Sequence, residues 1–490
     1  MRRLLILAAL LCAPAAMAVT PTPFNFHAGA TGGGTAYGTL VAYLPNGTQA
    51  GNTIICHGQY GDNGAITPSL TDENSDAFTN DIVHSGGGSG QTVFIAHSTA
   101  AATTGSHIIT VTYSGANATN QKLGCYETNN TAGHDGGSAC SGATGSSTTP
   151  SSGSITTTVA NDLIDFIAVD DQTGSVTSWT AGSGFALWEN DRGYGSGIDG
   201  MGEWQIDAST GSTSPTATVA PSTGWNAAAC AFKAQAAGNP QPAGMYVNCV
   251  ANYNIGSKTS GFKIGAPCGS GNNLLVLTST DSPGNGHITG VSGSVSGTWT
   301  IVDASLPTSS GSGIMDMWNK VGATVGPADL LTITTSAAFS QGEISVKAIT
   351  GADSSSPLDT SPTGVGSTTC ASGLCTLTGT QSSGGSLTAG GLTPSTANGV
   401  VIYWIGVNSP KILGNSSPGL SDLDYSVDMA SLNELMENNG YGHTYYSSAS
   451  AISPVFTTGG AAVQGWRWAG AAFKTAAAGG VVRHRAQVIQ

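Results

Sequence analysis

The densest group of reactive side chains in the sequence runs from Trp188 to Trp204. Glu189, Asp191, Arg192, Tyr194, Asp199 and Glu203 stand between the two tryptophans, in a chain of which only 9% is charged. Glycoside hydrolysis needs two carboxyl groups roughly 5–9.5 Å apart, one to protonate the leaving oxygen and one to attack or to activate water. Glu189 and Glu203 are the candidate pair, provided their strands lie side by side. Trp188, Tyr194 and Trp204 offer ring faces for stacking on a sugar, and Asp191 and Arg192 offer polar ends for its hydroxyls. Without catalysis, the same residues read as a sugar- or ion-binding loop or as a plain structural turn. The binding reading is preferred, because short motifs carry little information and the acid pair does not recur: about His443 stands where a second Glu203 would be.

Oxygen ligands cluster once more, at Asp72, Glu73 and Asp76, with Asp81 beyond. Calcium takes six to eight such oxygens and stiffens loops, so these residues are its candidate ligands, although their spacing is not that of an EF-hand. Asp422, Asp424 and Asp428 form a thinner version. His57, His84, His97, His107, His134 and His443 are scattered, without the i, i+4 spacing of a helical zinc site, and read as structural. No G-x-S-x-G elbow is present.

These residues need elements to hold them, and the compartment bears on which. Arg2 and Arg3 precede an apolar run from Leu4 to Leu11, and Ala16-Met17-Ala18 has the small-x-small form of a cleavage site. Residues 1–18 are therefore expected to be a signal peptide, with the mature chain extracellular or periplasmic. The formal net charge of -14 excludes the basic footprint of a nucleic-acid binder. It also disfavours adsorption to anionic membranes. Few lysines and glutamates and many Thr and Val residues favour strands over helices.

The landmarks of the chain occur twice. Asn52-Thr53-Ile54-Ile55-Cys56 matches Asn273-Leu274-Leu275-Val276-Leu277, and Ala160-Asn161-Asp162-Leu163-Ile164 matches Ala397-Asn398-Gly399-Val400-Val401. His107 to Thr112 matches Asp329 to Thr334, and Ala231-Phe232-Lys233 matches Ala472-Phe473-Lys474. Four landmarks in one order define two copies. Residues 19–233 and 245–476 are the copies, 234–244 a linker stiffened by Pro240 and Pro242, and 477–490 a tail. Short strands between Gly, Ser, Pro and Asn clusters indicate an all-β fold, with each copy one antiparallel, jelly-roll-like β-sandwich. Two smaller immunoglobulin-like sandwiches per copy, split near Ser146 to Ser154 and Ser382 to Ser386, are the alternative. Only Ser431 to Glu437 reads as helical. Asn52, Asn161, Asn273 and Asn398 each precede an apolar strand, where Asn suits a left-handed corner.

Apart from Cys12 in the leader, eight cysteines remain, four per copy, as expected for disulfides. Cys56 aligns with Leu277 and Cys230 with Ala471, core positions on the first and last strands of the copy. If those strands are neighbours, Cys56 pairs with Cys230 and leaves Cys125 for Cys140. In the second copy the local clip Cys370–Cys375 leaves Cys249 for Cys268. No C-x₂-C spacing supports a metal site instead.

The Asn-led strands, Trp179-Thr180, Trp299-Thr300 and the closing Ala-Phe-Lys strands resemble bacterial secreted proteins with tandem concanavalin-type or jelly-roll modules. That resemblance implies a domain type and no single activity, since such folds carry lectins, adhesins, glycosidases and lyases. The expectation is a secreted carbohydrate-binding or surface/matrix protein. A secreted polysaccharide-degrading hydrolase or lyase and a self-assembling filament or coat subunit are the alternatives.

Overall fold

A computed structural model describes residues 20–475, except 32–38, 62–65, 87–89, 101–102, 104–106, 114–118, 171–175, 192–198, 236–244, 259, 266–273, 282–285, 304–313, 323–329, 380–384, 389, 408–411, 416–422, 427–437 and 459–465. The described residues are all-β, with no helix among them. The leader, most of the linker, the tail and the segment expected to be helical lie outside the described residues, as do Arg192, Tyr194, Cys268, Asp422 and Asp428.

Five strands of the first copy form an antiparallel array in the spatial order Thr22–Thr31, Thr119–Asn129, Thr53–Gly61, Gln91–Thr99, Thr79–Ser85. The second copy repeats it with Tyr246–Lys258, Phe339–Thr350, Leu274–Asp281, Ile314–Val321 and Thr300–Asp303. The two arrays join through their first strands. Thr22–Thr31 runs parallel to Tyr246–Lys258, with Phe26 opposite Cys249, and the result is one ten-stranded sheet.

The later part of each copy builds a separate sheet. In the first copy Thr223–Ala234 lies between Cys140–Ser147 and Asp162–Asp170, followed by Gly200–Asp207 and Ala186–Asp191. In the second copy Trp466–Lys474 lies between Leu374–Gly379 and Gly399–Val407, followed by Asn438–Tyr446 and Leu423–Ser426. Sheets of two to four strands complete the molecule.

One large sandwich per copy is therefore not the arrangement found. Each copy contains two units, divided at Asn130 and Gly351, both with positive φ. Those corners fall before the serine-rich segments expected to mark a split. Each unit has its own core: Leu40, Ala42, Ile109 and Val111 of one small sheet pack against Ile54, Cys56, Phe94 and Leu123 of the large one. Burial explains the sequence texture. Thr53–Gly61 and Asp162–Asp170 are buried on both faces and lack the alternation of a half-exposed strand. His107–Tyr113, in a small outer sheet, alternates buried with more exposed positions. Asn161 and Asn398 do adopt positive φ, of 69° and 61°.

A further core lies between the two large sheets of each copy. In the second copy Val250, Leu274, Val276, Val400, Ile402 and Trp404 are among the apolar residues that build it, with Lys347 and His443 buried on the same faces. In the first copy Phe26, Ile55, Tyr126, Leu163, Ile167 and Trp188 occupy it, together with charged groups.

The described disulfides join directly opposed residues on neighbouring antiparallel strands. Cys56 is bonded to Cys125, Cys140 to Cys230 and Cys370 to Cys375, with Cα separations of 4.1, 4.2 and 4.0 Å. The expected Cys56–Cys230 and Cys125–Cys140 pairings are corrected, and Cys370–Cys375 is as expected. Cys56 and Cys230 are core positions, but they lie on different sheets, and each has a cysteine on the adjacent strand. Where the first copy has Cys56 opposite Cys125, the second has Leu277 opposite Val346; for Cys140 opposite Cys230 it has Leu374 opposite Ala471. Cys249 is also disulfide-bonded.

Candidate functional site

Four charged side chains meet in the inter-sheet core of the first copy. His57 and Lys122 come from the ten-stranded sheet; Asp165 and Glu189 come from the sheet packed on it. His57 Nδ1 lies 3.0 Å from Asp165 Oδ2, and Nε2 lies 2.7 Å from Glu189 Oε2. Lys122 Nζ is 3.4 Å from the same Glu189 oxygen. All four side chains are fully shielded from solvent. Tyr126 donates its hydroxyl to Asp165 Oδ1 at 3.1 Å, and Trp188 stacks on the His57 ring with centroids 4.7 Å apart.

Local irregularity makes this possible. Side chains alternate along a strand, so neighbours normally face opposite ways. The pairing of Ala186–Asp191 with Gly200–Asp207 slips between Leu187 and Glu189. A bulge of this kind re-aims side chains, and Trp188 and Glu189 both reach His57. Three strand glycines, Gly124, Gly200 and Gly202, keep the space clear. A Cβ at Gly124 would stand 2.6 Å from Trp188 and 2.8 Å from Glu189 Oε2, and one at Gly200 would stand 3.1 Å from Lys122 Nζ. A Cβ at Gly202 would collide with the His57 ring.

The electrostatics follow from dryness. Burial alone would lower the His57 pKa, but Asp165 and then Glu189 outweigh it and lift it to about 9. The imidazole is therefore cationic at neutral pH and donates to both carboxylates. Beside Asp165, the buried Tyr126 hydroxyl is held well above its ordinary value. Glu203 is pushed up to about 8, by burial first, against one N–H bond from Gly182 at 2.8 Å.

The expected acid pair is not brought together. Glu203 and Glu189 do lie on adjacent strands, but Glu203 stands beside Met201 and Gly202 with the parity of the opposite face, accepting from Gly182. Two carboxylates on opposite faces of a sheet cannot flank one bond. Trp188 is 1% exposed, and Trp204 is half-buried against the same core. Neither is a surface stacking platform. The backbone of Asp191 belongs to the strand that carries Glu189.

The calcium candidates have other partners. Asp72 Oδ1 accepts from the N–H groups of Asn74 and Asp76, and Oδ2 lies 2.7 Å from His107 Nε2. Glu73 turns to the Ile108 N–H at 2.9 Å. Of these candidates, Asp72 and Asp76 bring ligand atoms within 4.8 Å of each other and of His107. That set mixes nitrogen with oxygen and suits a transition metal better than calcium. Asp81 pairs with His97 at 2.8 Å.

A second feature lies between the copies. The strand Ser178–Thr180 and Leu187 form one wall of a cleft of about 580 Å³. The other wall is a small sheet of the second copy, on which Lys263, Thr332 and Ser292 are register neighbours in one row. No protein family model matches the sequence, and no curated protein matches it. Function therefore rests on these two places alone.

Reading the histidines as structural missed His57. A signal was available: Asp165 interrupts the apolar run Leu163 to Val169 at a position where the second copy has Ile402. The glycines at 124, 200 and 202 were the other, since a glycine in a strand marks close approach.

Proposed function

We propose that the protein is a secreted, disulfide-stapled β-scaffold that binds carbohydrate at the cleft between its two copies, in a surface or matrix setting. The cleft itself carries the reading. Its volume of about 580 Å³ is within the range of roughly 300–1,000 Å³ typical of small-molecule sites. Six hydroxyl-bearing residues, Thr177, Ser178, Thr180, Ser292, Ser294 and Thr332, line it, with Lys263, Trp179, Leu187 and Leu330. Hydroxyl-rich walls with a few apolar faces match a ligand that is itself polyhydroxylated. Trp179 is 3% exposed, and its indole N–H has no acceptor among the described residues. The tandem sandwich-like build and the oxidised cysteines support an extracellular or periplasmic setting. A hydrolase or lyase is less supported, because Glu189 and Glu203 do not converge.

Retention of the purified chain on a polysaccharide panel, with released reducing ends read alongside, tests this. Retention without release is expected, and Ser292→Tyr with Lys263→Glu should reduce retention at least tenfold. A wild-type chain that no polysaccharide retains, or a double variant retained equally, overturns the reading.

A further inference from the structure

The cluster around His57 places an amine against a carboxyl group in a dry core, with a proton donor on that carboxyl. The second copy shows that the fold does not require it. Thr278, Glu343, Ile402 and Tyr425 hold the register positions of His57, Lys122, Asp165 and Glu189, so this set of four is not repeated. Buried ion pairs lose hydration that their mutual attraction often fails to restore. A cluster kept under that cost, with glycines clearing space for it, is a built site without an opening to solvent. Its chemistry must then be among its own members.

We propose that Lys122 and Glu189 condense to an intramolecular isopeptide bond, a covalent bolt between the two large sheets of the first copy. The amine of Lys122, having given up one proton, attacks the Glu189 side-chain carbonyl carbon, and a C–N bond forms. Oε2 of Glu189 departs as water when the C–O bond breaks. His57 Nε2, 2.7 Å from that oxygen, supplies a proton to it. The nitrogen releases two protons in all: one joins the departing oxygen and the other replaces the one that His57 gives. Asp165, at 3.0 Å from Nδ1, fixes the ring and its charge. The ammonium and the carboxylate become an amide and one water, with no oxidant or reductant. Two of the four buried charges disappear, and His57 and Asp165 remain as a neutral pair. The arrangement is independent of the carbohydrate reading, since the cleft shares none of these four residues.

Peptide mapping of the full chain after denaturation and reduction tests this. Acylated lysine is not cut by trypsin, and no other Lys or Arg lies between Arg3 and Arg192, so a single uncut peptide ending at Arg192 and lighter than its linear sequence by one water is expected. Glu189→Ala should return a linear Lys122 peptide with normal cleavage. Asp165→Asn, checked as folded by circular dichroism, should leave most chains unlinked. Linear Lys122 and Glu189 peptides from folded wild type overturn the bond, and complete linkage in folded Asp165→Asn overturns the role of the His57–Asp165 pair.

Discussion

Asp165 and Ile402 hold the same place in the two copies: one lies opposite Cys230 and the other opposite Ala471, each on the strand beside the closing strand. One molecule thus contains versions of the same inter-sheet core with and without a carboxylate at this place. Asp165→Ile copies the second version into the first. It removes the acceptor of Tyr126 and one carboxylate of His57, so stability should fall by about 3–5 kcal/mol. Adding His57→Thr, as at Thr278, should restore part of that loss. Guanidinium unfolding curves of the single and double variants measure both.

Trp188→Ala separates a core role from a binding role. The ring is buried between Phe26, Tyr126 and His57, so truncation should cost about 3–5 kcal/mol of stability. Polysaccharide retention by the folded fraction should stay unchanged. A loss of retention at unchanged melting temperature would return Trp188 to the ligand.

Two raised pKa values give stability a pH dependence of one sign. His57 rises from 6.5 to about 9, so its contribution is full below pH 6.5 and fades as pH passes about 9. Glu203 rises from 4.5 to about 8, so the fold prefers it protonated, and that preference is lost as pH climbs through about 8. The melting temperature should fall between pH 6 and pH 9.5. Glu203→Gln should flatten the part below pH 8, which a thermal-shift series across that range would reveal.

The repeat was legible because strands keep register: Asn52 to Asn273 and Cys125 to Val346 both span 221 residues. The disulfides were not, because strand neighbourhood was inferred from chain order, whereas Cys56 and Cys230 lie on different sheets. His57 was hidden for a similar reason. Its partners Asp165 and Glu189 lie 108 and 132 residues away, and Glu189 reaches it through a bulge that simple alternation does not anticipate.

Replacing a cross-strand disulfide with the residues of the other copy should be milder than emptying it. Cys56→Ser with Cys125→Ser should cost about 2–5 kcal/mol. Cys56→Leu with Cys125→Val, following Leu277 and Val346, should recover some of this by apolar burial. Chemical denaturation ranks the two pairs, and equal losses would argue against equivalence of the sites.

Cleavage in the linker should not separate the copies. The parallel pairing of Phe26 with Cys249 and its neighbours is reinforced by Tyr445, which donates to Asn46 at 2.6 Å. Chains nicked between residues 236 and 244 should elute from a sizing column as one particle in native buffer and as two after denaturation. Two native peaks would show that the shared sheet contributes little.

That shared sheet has a symmetry consequence. Equivalent first strands lying parallel, with their arrays extending in opposite directions, are related by an approximate two-fold axis along the strands. Phe26 and Cys249 share a row, so the face that carries the His57 core in one half carries the unit core of Cys249, Ile264 and Leu275 in the other. The chain is in effect an isologous dimer whose subunits are fused. Such a contact is self-satisfying: each copy closes the edge that the other would leave open, and no further copy can join by the same rule. Among the described strands, the edges of the long sheet that remain are Thr79–Ser85 and Thr300–Asp303, so growth into a filament would have to begin from a surface other than the one that unites the two halves.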